Sequence, residues 1–149
     1  MQFGKILIAI DDSAFSLRAA EVGFTLAGKL GAEVALVFVV NRSKQVVNAD
    51  IGITAAESRN ILLQEADKTI DQFVRMYGDS GKVYRFTPDG LPEKEIVNMA
   101  REWGADLIVL GTHARSGLQR ILTGSVAEYV IRHARVPVMV APPGMEPHR

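Results

Sequence analysis

The chain has 149 residues, a length that suggests one domain able to bury its own core. Its 17 basic and 17 acidic residues balance, which argues against nucleic-acid binding or membrane anchoring through a basic face. The absence of cysteine excludes disulfides, Cys-ligated zinc, Fe–S clusters and thiol nucleophiles.

Five short apolar runs alternate with helical patterns along the chain. Four runs are nearly continuous in Ile, Leu and Val, which is typical of strands buried on both faces. The third run alternates in polarity and predicts an edge strand. In chain order we predict strand Lys5–Ile10, helix Ala14–Lys29, strand Glu33–Val40, a helix from Thr54 to Tyr77, strand Lys82–Thr87, helix Leu91–Trp103, strand Asp106–Leu110, a helix opening at Ser125, and strand Val136–Ala141.

Capping signals mark the ends of these helices. Ser13 is a predicted N-cap, and both Thr54-x-x-Glu57 and Ser125-x-x-Glu128 fit the capping-box pattern. Glycines follow three of the helices and predict where they stop: Gly31, Gly78 and Gly104.

Strand–helix alternation predicts a single doubly wound (Rossmann-like) α/β domain over residues 1–142, with a parallel sheet and helices on both faces. Residues 143–149 are expected to form a flexible tail, because prolines are frequent there. No apolar stretch is long enough to span a membrane, so we expect a cytoplasmic protein.

Ligands of such folds bind beyond the carboxyl ends of the strands. The segment after the fourth strand contains Gly111, Arg115 and Arg120, and it leads to Gly124-Ser125 at a helix start without an acidic residue between. Glycines, arginines and a helix N-terminus suit a phosphate, although no P-loop or dinucleotide fingerprint is present.

Structural roles remain open for the same residues. Ser125 can serve only as a helix cap, Gly111 can be a turn glycine, and Asp11 can bond to backbone at a strand end. His113 lies in the candidate segment, where it could contact a phosphate, but an ordinary surface position is the favoured interpretation. No histidine–carboxylate cluster has metal-ligand spacing, and the G-x-S-x-G nucleophile motif is absent.

Two segments make the chain recognisable. The opening KILIAIDDSAFSLRAA and the stretch GTHARSGLQRILTGSVAEYVIRHARVPVMVAP resemble the universal stress protein (UspA-like) family, over Lys5 to Pro142. The resemblance implies the strand order 3-2-1-4-5, with the Asp11 and Gly111 loops facing one crevice. It also implies a homodimer formed through the last strand, Val136–Val140.

Family members that bind ATP carry the pattern G-x2-G-x9-G-[S/T]. Gly111 matches the first glycine, and Gly124 with Ser125 matches the final pair. Ala114 stands where the second glycine belongs, and its methyl group opposes a positive φ and a close approach of phosphate.

The resemblance implies a nucleotide site for ATP, or AMP or ADP, with Mg²⁺ held by the phosphates. We therefore expect a nucleotide-binding stress-response regulator with no catalytic or metal-ligating residue and at most weak ATP hydrolysis. The alternative is a nucleotide-free protein-interaction module, because Ala114 replaces a motif glycine. The implied nucleotide ligands are Ala9, Ile10 and Asp11 at the adenosine end, Val39 at the adenine, and Gly111, Arg115, Gly124, Ser125 and Val126 at the phosphates.

Overall fold

The computed structural model describes residues 2–41, 52–78, 81–112 and 124–143. Over these residues, strands and helices alternate as predicted. They are β1 (Lys5–Ile10), α1 (Phe15–Leu30), β2 (Glu33–Phe38), α2 (Ala55–Tyr77), β3 (Val83–Phe86), α3 (Pro92–Trp103), β4 (Leu107–Gly111), α4 (Ser125–His133) and β5 (Val138–Ala141).

The strands form one parallel sheet in the order β3-β2-β1-β4-β5. The predicted fold class and strand order are therefore confirmed. In the centre, Ala9 of β1 lies beside Val37 of β2 and Leu110 of β4. The strand order reverses between β1 and β4, which is the place where folds of this kind open a crevice at the carboxyl ends of the strands.

Helices cover both faces of the sheet, and successive strand residues supply the two cores in turn. Ile8 of β1 belongs to the core shared with α1 and α2, where Ile70 and Phe73 are buried. Leu7 belongs to the opposite core, which includes Ile96 of α3 and Val130 of α4. Burial on both faces explains why the central strands are continuous apolar runs in the sequence.

Small residues allow α1 to pack tightly against the sheet. A Cβ atom on Gly23 would lie 2.5 Å from Cδ1 of Ile8, so a larger residue here would displace the Ile8 side chain. Leu17, although it lies in the same helix, is 43% exposed. The buried residues of α1 are Ser16, Ala19, Ala20, Gly23 and Ala27.

Three predicted strands extended too far. The run Lys82–Thr87 forms a strand only over Val83–Phe86. The run Glu33–Val40 ends as a strand at Phe38, and Val40 instead donates its N–H to the Pro88 carbonyl oxygen at 2.8 Å. The final strand begins at Val138 rather than Val136. Pro137 lacks an N–H, and only its carbonyl oxygen joins the sheet, by accepting from Ile108.

The predicted N-caps were correct in one of three places. Thr54 caps α2, since its hydroxyl accepts the Glu57 N–H at 3.1 Å. Ser13 does not cap α1, because its side chain turns back to Asp11. Ser125 is already inside α4, and the N-cap is Gly124, which has no side chain to offer.

Among the described helices, none combines the length and the apolar character that a membrane crossing requires. The predicted flexible tail falls on residues 143–149, of which 144–149 lie outside the described residues.

Candidate functional site

A cavity of about 570 Å³ lies at the carboxyl ends of the strands, beside the β1–β4 reversal. Its volume falls within the range of small-molecule sites. Every implied nucleotide ligand among the described residues borders this cavity, and Arg115 lies outside those residues. The bordering residues are Ala9, Ile10, Asp11, Val39, Gly111, Gly124, Ser125 and Val126.

The carboxylate of Asp11 is bonded to the residues that open α1. Its Oδ1 accepts hydrogen bonds from the Ser13 N–H at 2.8 Å and from the Ser16 hydroxyl at 2.8 Å. The Ser13 hydroxyl donates to the same oxygen. The open alternative that Asp11 bonds to backbone is thus confirmed. Because the residue also borders the cavity, backbone bonding does not remove it from the site.

The backbone at the start of α1 lies so close to Gly111 that a side chain does not fit at this position. A Cβ atom at this position would lie 2.4 Å from the Phe15 carbonyl oxygen and 3.0 Å from its carbonyl carbon. The sequence predicts Gly111 as one of the glycines of a phosphate site. The close approach in the structure is made by the first turn of α1, which passes against the end of β4.

Three helix N-termini without side-chain caps open at the cavity. The N-cap positions of α1, α3 and α4 are Ala14, Leu91 and Gly124, and none of them makes a side-chain capping bond. The first turns of these helices border the cavity, whereas Thr54, the capping residue of α2, does not. Pro92, the first-turn residue of α3 at the cavity, has no N–H, and the Asp11 carboxylate lies at the start of α1, so it is the positive end of α4 that favours an anion in this space.

Gly124 has a backbone conformation that residues other than glycine rarely adopt. Its φ of 90° and ψ of 152° lie in a region that side chains avoid, although no atom of the described residues lies within 4 Å of an added Cβ. Gly124→Ala should therefore cost about 1–3 kcal/mol through backbone strain and turn the first amides of α4 away from the cavity. Urea unfolding measures the first effect, and titration with ATP measures the second.

Gly31 provides a matched control for this change. It also has a positive φ, of 66°, with open space around an added Cβ, but it caps the far end of α1. Gly31→Ala should lower stability while leaving ATP affinity unchanged. Equal losses of affinity in both variants would contradict a specific role for Gly124.

The cavity has an apolar side and a polar side. Val37, Val39, Ile96 and Leu110 form apolar wall near the sheet. Helix α2 contributes a row of lining residues that were not predicted from the sequence to belong to the site. These residues are spaced one helical turn apart, beside the buried stripe of the helix, which is the signal that could have identified them. They are Leu62, Glu65, Lys68, Thr69 and Gln72.

The charged side chains among the described lining residues are mostly acidic. They are Asp11, Asp12 and Glu65, and Lys68 is the single cation of that set. Glu128, in the first turn of α4, forms an ion pair with Arg132 at 3.0 Å and does not border the cavity. Within the described ranges, no group of three or more acidic or histidine side chains could hold a metal ion.

Part of the candidate phosphate segment lies outside the described residues. It includes His113, Ala114, Arg115 and Arg120. The roles assigned to these residues stay predictions from the sequence.

Comparison with known proteins places this architecture in a family. The solved structure of the protein MJ0577 has a TM-score of 0.81 and 28% identity, covering 98% of this chain and 100% of that one. A universal stress protein from Archaeoglobus fulgidus, solved in complex with dAMP, has a TM-score of 0.62 and 24% identity, covering 95% and 99% of the two chains.

The sequence comparisons agree with the structural ones. The universal stress protein MJ0531 of Methanocaldococcus jannaschii is 37% identical over 143 residues, covering 93% of this chain and 81% of the relative. The model of the universal stress protein family matches residues 2–142. The chain belongs to the universal stress protein family.

Proposed function

We propose that the cavity binds an adenine nucleotide, as ATP, ADP or AMP, and that the protein is a nucleotide-dependent regulator of the stress response. The strongest support is the arrangement around one cavity of Asp11 and the uncapped N-terminus of α4. The Archaeoglobus relative solved with dAMP is under 25% identical, so it supports the shared fold and the proposal rests on this chain's own residues.

The adenosine end fits the side of the cavity nearest β1 and β2. Val37, Val39 and Ile96 offer apolar surface suited to a purine. Asp11 is a hydrogen-bond acceptor when ionised, and the hydroxyl groups of ribose are donors. Asp11 would therefore orient the sugar, with Ala9 and Ile10 beside it.

The phosphate end fits the first turn of α4. The amide N–H groups of Ser125 and Val126 lie at the positive end of the helix, and Gly124 keeps side-chain bulk away from it. Arg115 would add positive charge from the preceding segment. In this proposal Mg²⁺ is held by phosphate oxygens, and the chain's part is to bind and orient the nucleotide rather than to hydrolyse it.

A nucleotide-free interaction module is the second candidate, favoured by Ala114 in place of a motif glycine.

In either case we propose pairing of two copies through Val136–Val140. β5 is an edge strand, and Met139 on it is 37% exposed. Apolar edge strands are prone to pair with another chain. The molecular mass of the wild-type chain, measured by sedimentation, distinguishes the expected dimer from a monomer.

Chromatography of the small molecules released from purified protein separates the two functions. We expect adenine nucleotide from the wild-type chain and much less from Asp11→Asn. Asp67→Asn is the matched control, because Asp67 is exposed on α2 and does not border the cavity. Nucleotide in all three preparations alike would argue against the proposed site, and its absence from wild type after exposure to millimolar ATP would favour the interaction module.

A further inference from the structure

The hydroxyl group of Ser16 makes two hydrogen bonds to one residue. It accepts the backbone N–H of Asp11 at 2.7 Å and donates to Oδ1 of the Asp11 carboxylate at 2.8 Å. The two bonds join the main chain and the side chain of Asp11 through a single atom. This arrangement restricts the rotation of the Asp11 side chain relative to its backbone.

Ser16 is well placed to act as a fixed anchor. It lies in the first turn of α1, is 5% exposed, and follows Phe15, whose carbonyl group packs against Gly111. The backbone that holds Ser16 is therefore set by the contact between α1 and β4. A buried hydroxyl on such a rigid element can direct a neighbouring carboxylate with little loss of order on ligand binding.

We infer that Ser16 is a positioning residue that aims the Asp11 carboxylate at the ribose of the bound nucleotide and so sets the selectivity for the sugar. This inference rests on the proposed function, in which Asp11 accepts from ribose hydroxyl groups. Ser13 bonds to the same carboxylate oxygen, but it is less buried and precedes the helix. Ser16 alone among these donors also bonds to the Asp11 amide.

The binding test compares ATP with 2′,3′-dideoxy-ATP, which lacks both ribose hydroxyl groups. Wild type should prefer ATP, and Ser16→Ala should weaken ATP binding about tenfold, the scale of one hydrogen bond to a charged group. The affinity for the dideoxy analogue should change much less, so the ratio of the affinities for ATP and for the analogue should fall towards one. A variant that weakens both ligands equally, or that keeps the wild-type preference, overturns the inference.

Ser58→Ala is the matched control. Ser58 is also a buried serine, 5% exposed, in the first turns of a helix, but it does not border the cavity. Its replacement should leave the preference for ATP at the wild-type value. An equal decline in this variant would assign the effect to general loosening of the fold and would overturn the inference.

Amide hydrogen exchange tests the positioning without any ligand. Ser16→Ala removes the acceptor of the Asp11 N–H, so this amide should exchange at least about tenfold faster, while Ser58→Ala should leave it unchanged. If wild type binds no nucleotide, the proposed function fails and the exchange result still decides whether Ser16 positions Asp11. Unchanged exchange in Ser16→Ala would overturn the inference whatever the binding data show.

Discussion

Replacing Gly111 by Ala should lower the free energy of unfolding by about 1–3 kcal/mol, the cost of overpacking an interior contact. The added methyl group would lie 2.4 Å from the Phe15 carbonyl oxygen, and backbone cannot rotate away as a flexible side chain can. The first turn of α1 would have to shift. Because Ser16 and the hydrogen-bonded Asp11 belong to the same segment, nucleotide affinity should decrease as well.

Urea unfolding of Gly111→Ala and Gly28→Ala provides a direct comparison. Gly28 lies in the exposed part of α1 with no atom within 4 Å of an added Cβ. Gly28→Ala should raise stability by about 0.5–1 kcal/mol, because alanine favours the helix. The two glycine-to-alanine changes therefore have opposite expected signs. A Gly111→Ala protein as stable as wild type would show that the α1–β4 contact is looser than the structure indicates.

Ala114→Gly should increase the affinity for ATP by about 1–3 kcal/mol, which is roughly 5- to 150-fold. The change restores the second glycine of the family's nucleotide pattern and removes a methyl group at the expected phosphate position. Glycine also adopts a positive φ without strain. The effect should be confined to ligands that carry phosphates.

Isothermal titration of wild type and of Ala114→Gly, each with ATP and with adenosine, measures this effect. Adenosine has no phosphate, so its affinity should be the same in wild type and Ala114→Gly. An equal gain for both ligands would indicate a general change in the cavity. No gain for ATP would show that Ala114 is compatible with phosphate binding as it stands.

The fold could be predicted from the sequence because the pattern is strong at every level. Buried strands such as Lys5–Ile10 are continuous in apolar residues, and Gly31 and Gly104 adopt left-handed conformations at helix ends as expected. The strand limits were less accurate. A hydrophobic run does not show where ladder pairing stops, as at Val40, whose backbone bonds to Pro88 and Gly90 beyond the end of β2.

The candidate site could be predicted in its loops but not in its walls. The residues after β1 and β4 follow from the rule that ligands bind at the carboxyl ends of strands. The contribution of α2 depends on how this helix crosses the sheet, which is a property of tertiary packing. The spacing of Glu65 and Lys68 beside the buried stripe places them on one side of α2, but the sequence does not show that this side borders the site.

Two of the helix caps predicted from local sequence patterns were wrong. Ser13 and Ser125 both stand near helix starts, where a hydroxyl commonly caps. In the structure Ser13 bonds instead to Asp11, and Ser125 lies one position inside α4. The absence of a serine cap is informative, because it leaves the first turn of α4 open to the cavity.

The central claim is that this cavity binds an adenine nucleotide, and calorimetric titration of the purified wild-type chain with Mg-ATP tests it most directly. We predict saturable binding at one site per chain, weakened at least about tenfold by Asp11→Asn, which removes the charge from a hydrogen-bond acceptor. No heat of binding at millimolar Mg-ATP, with a protein shown to be folded and free of nucleotide, would contradict the claim.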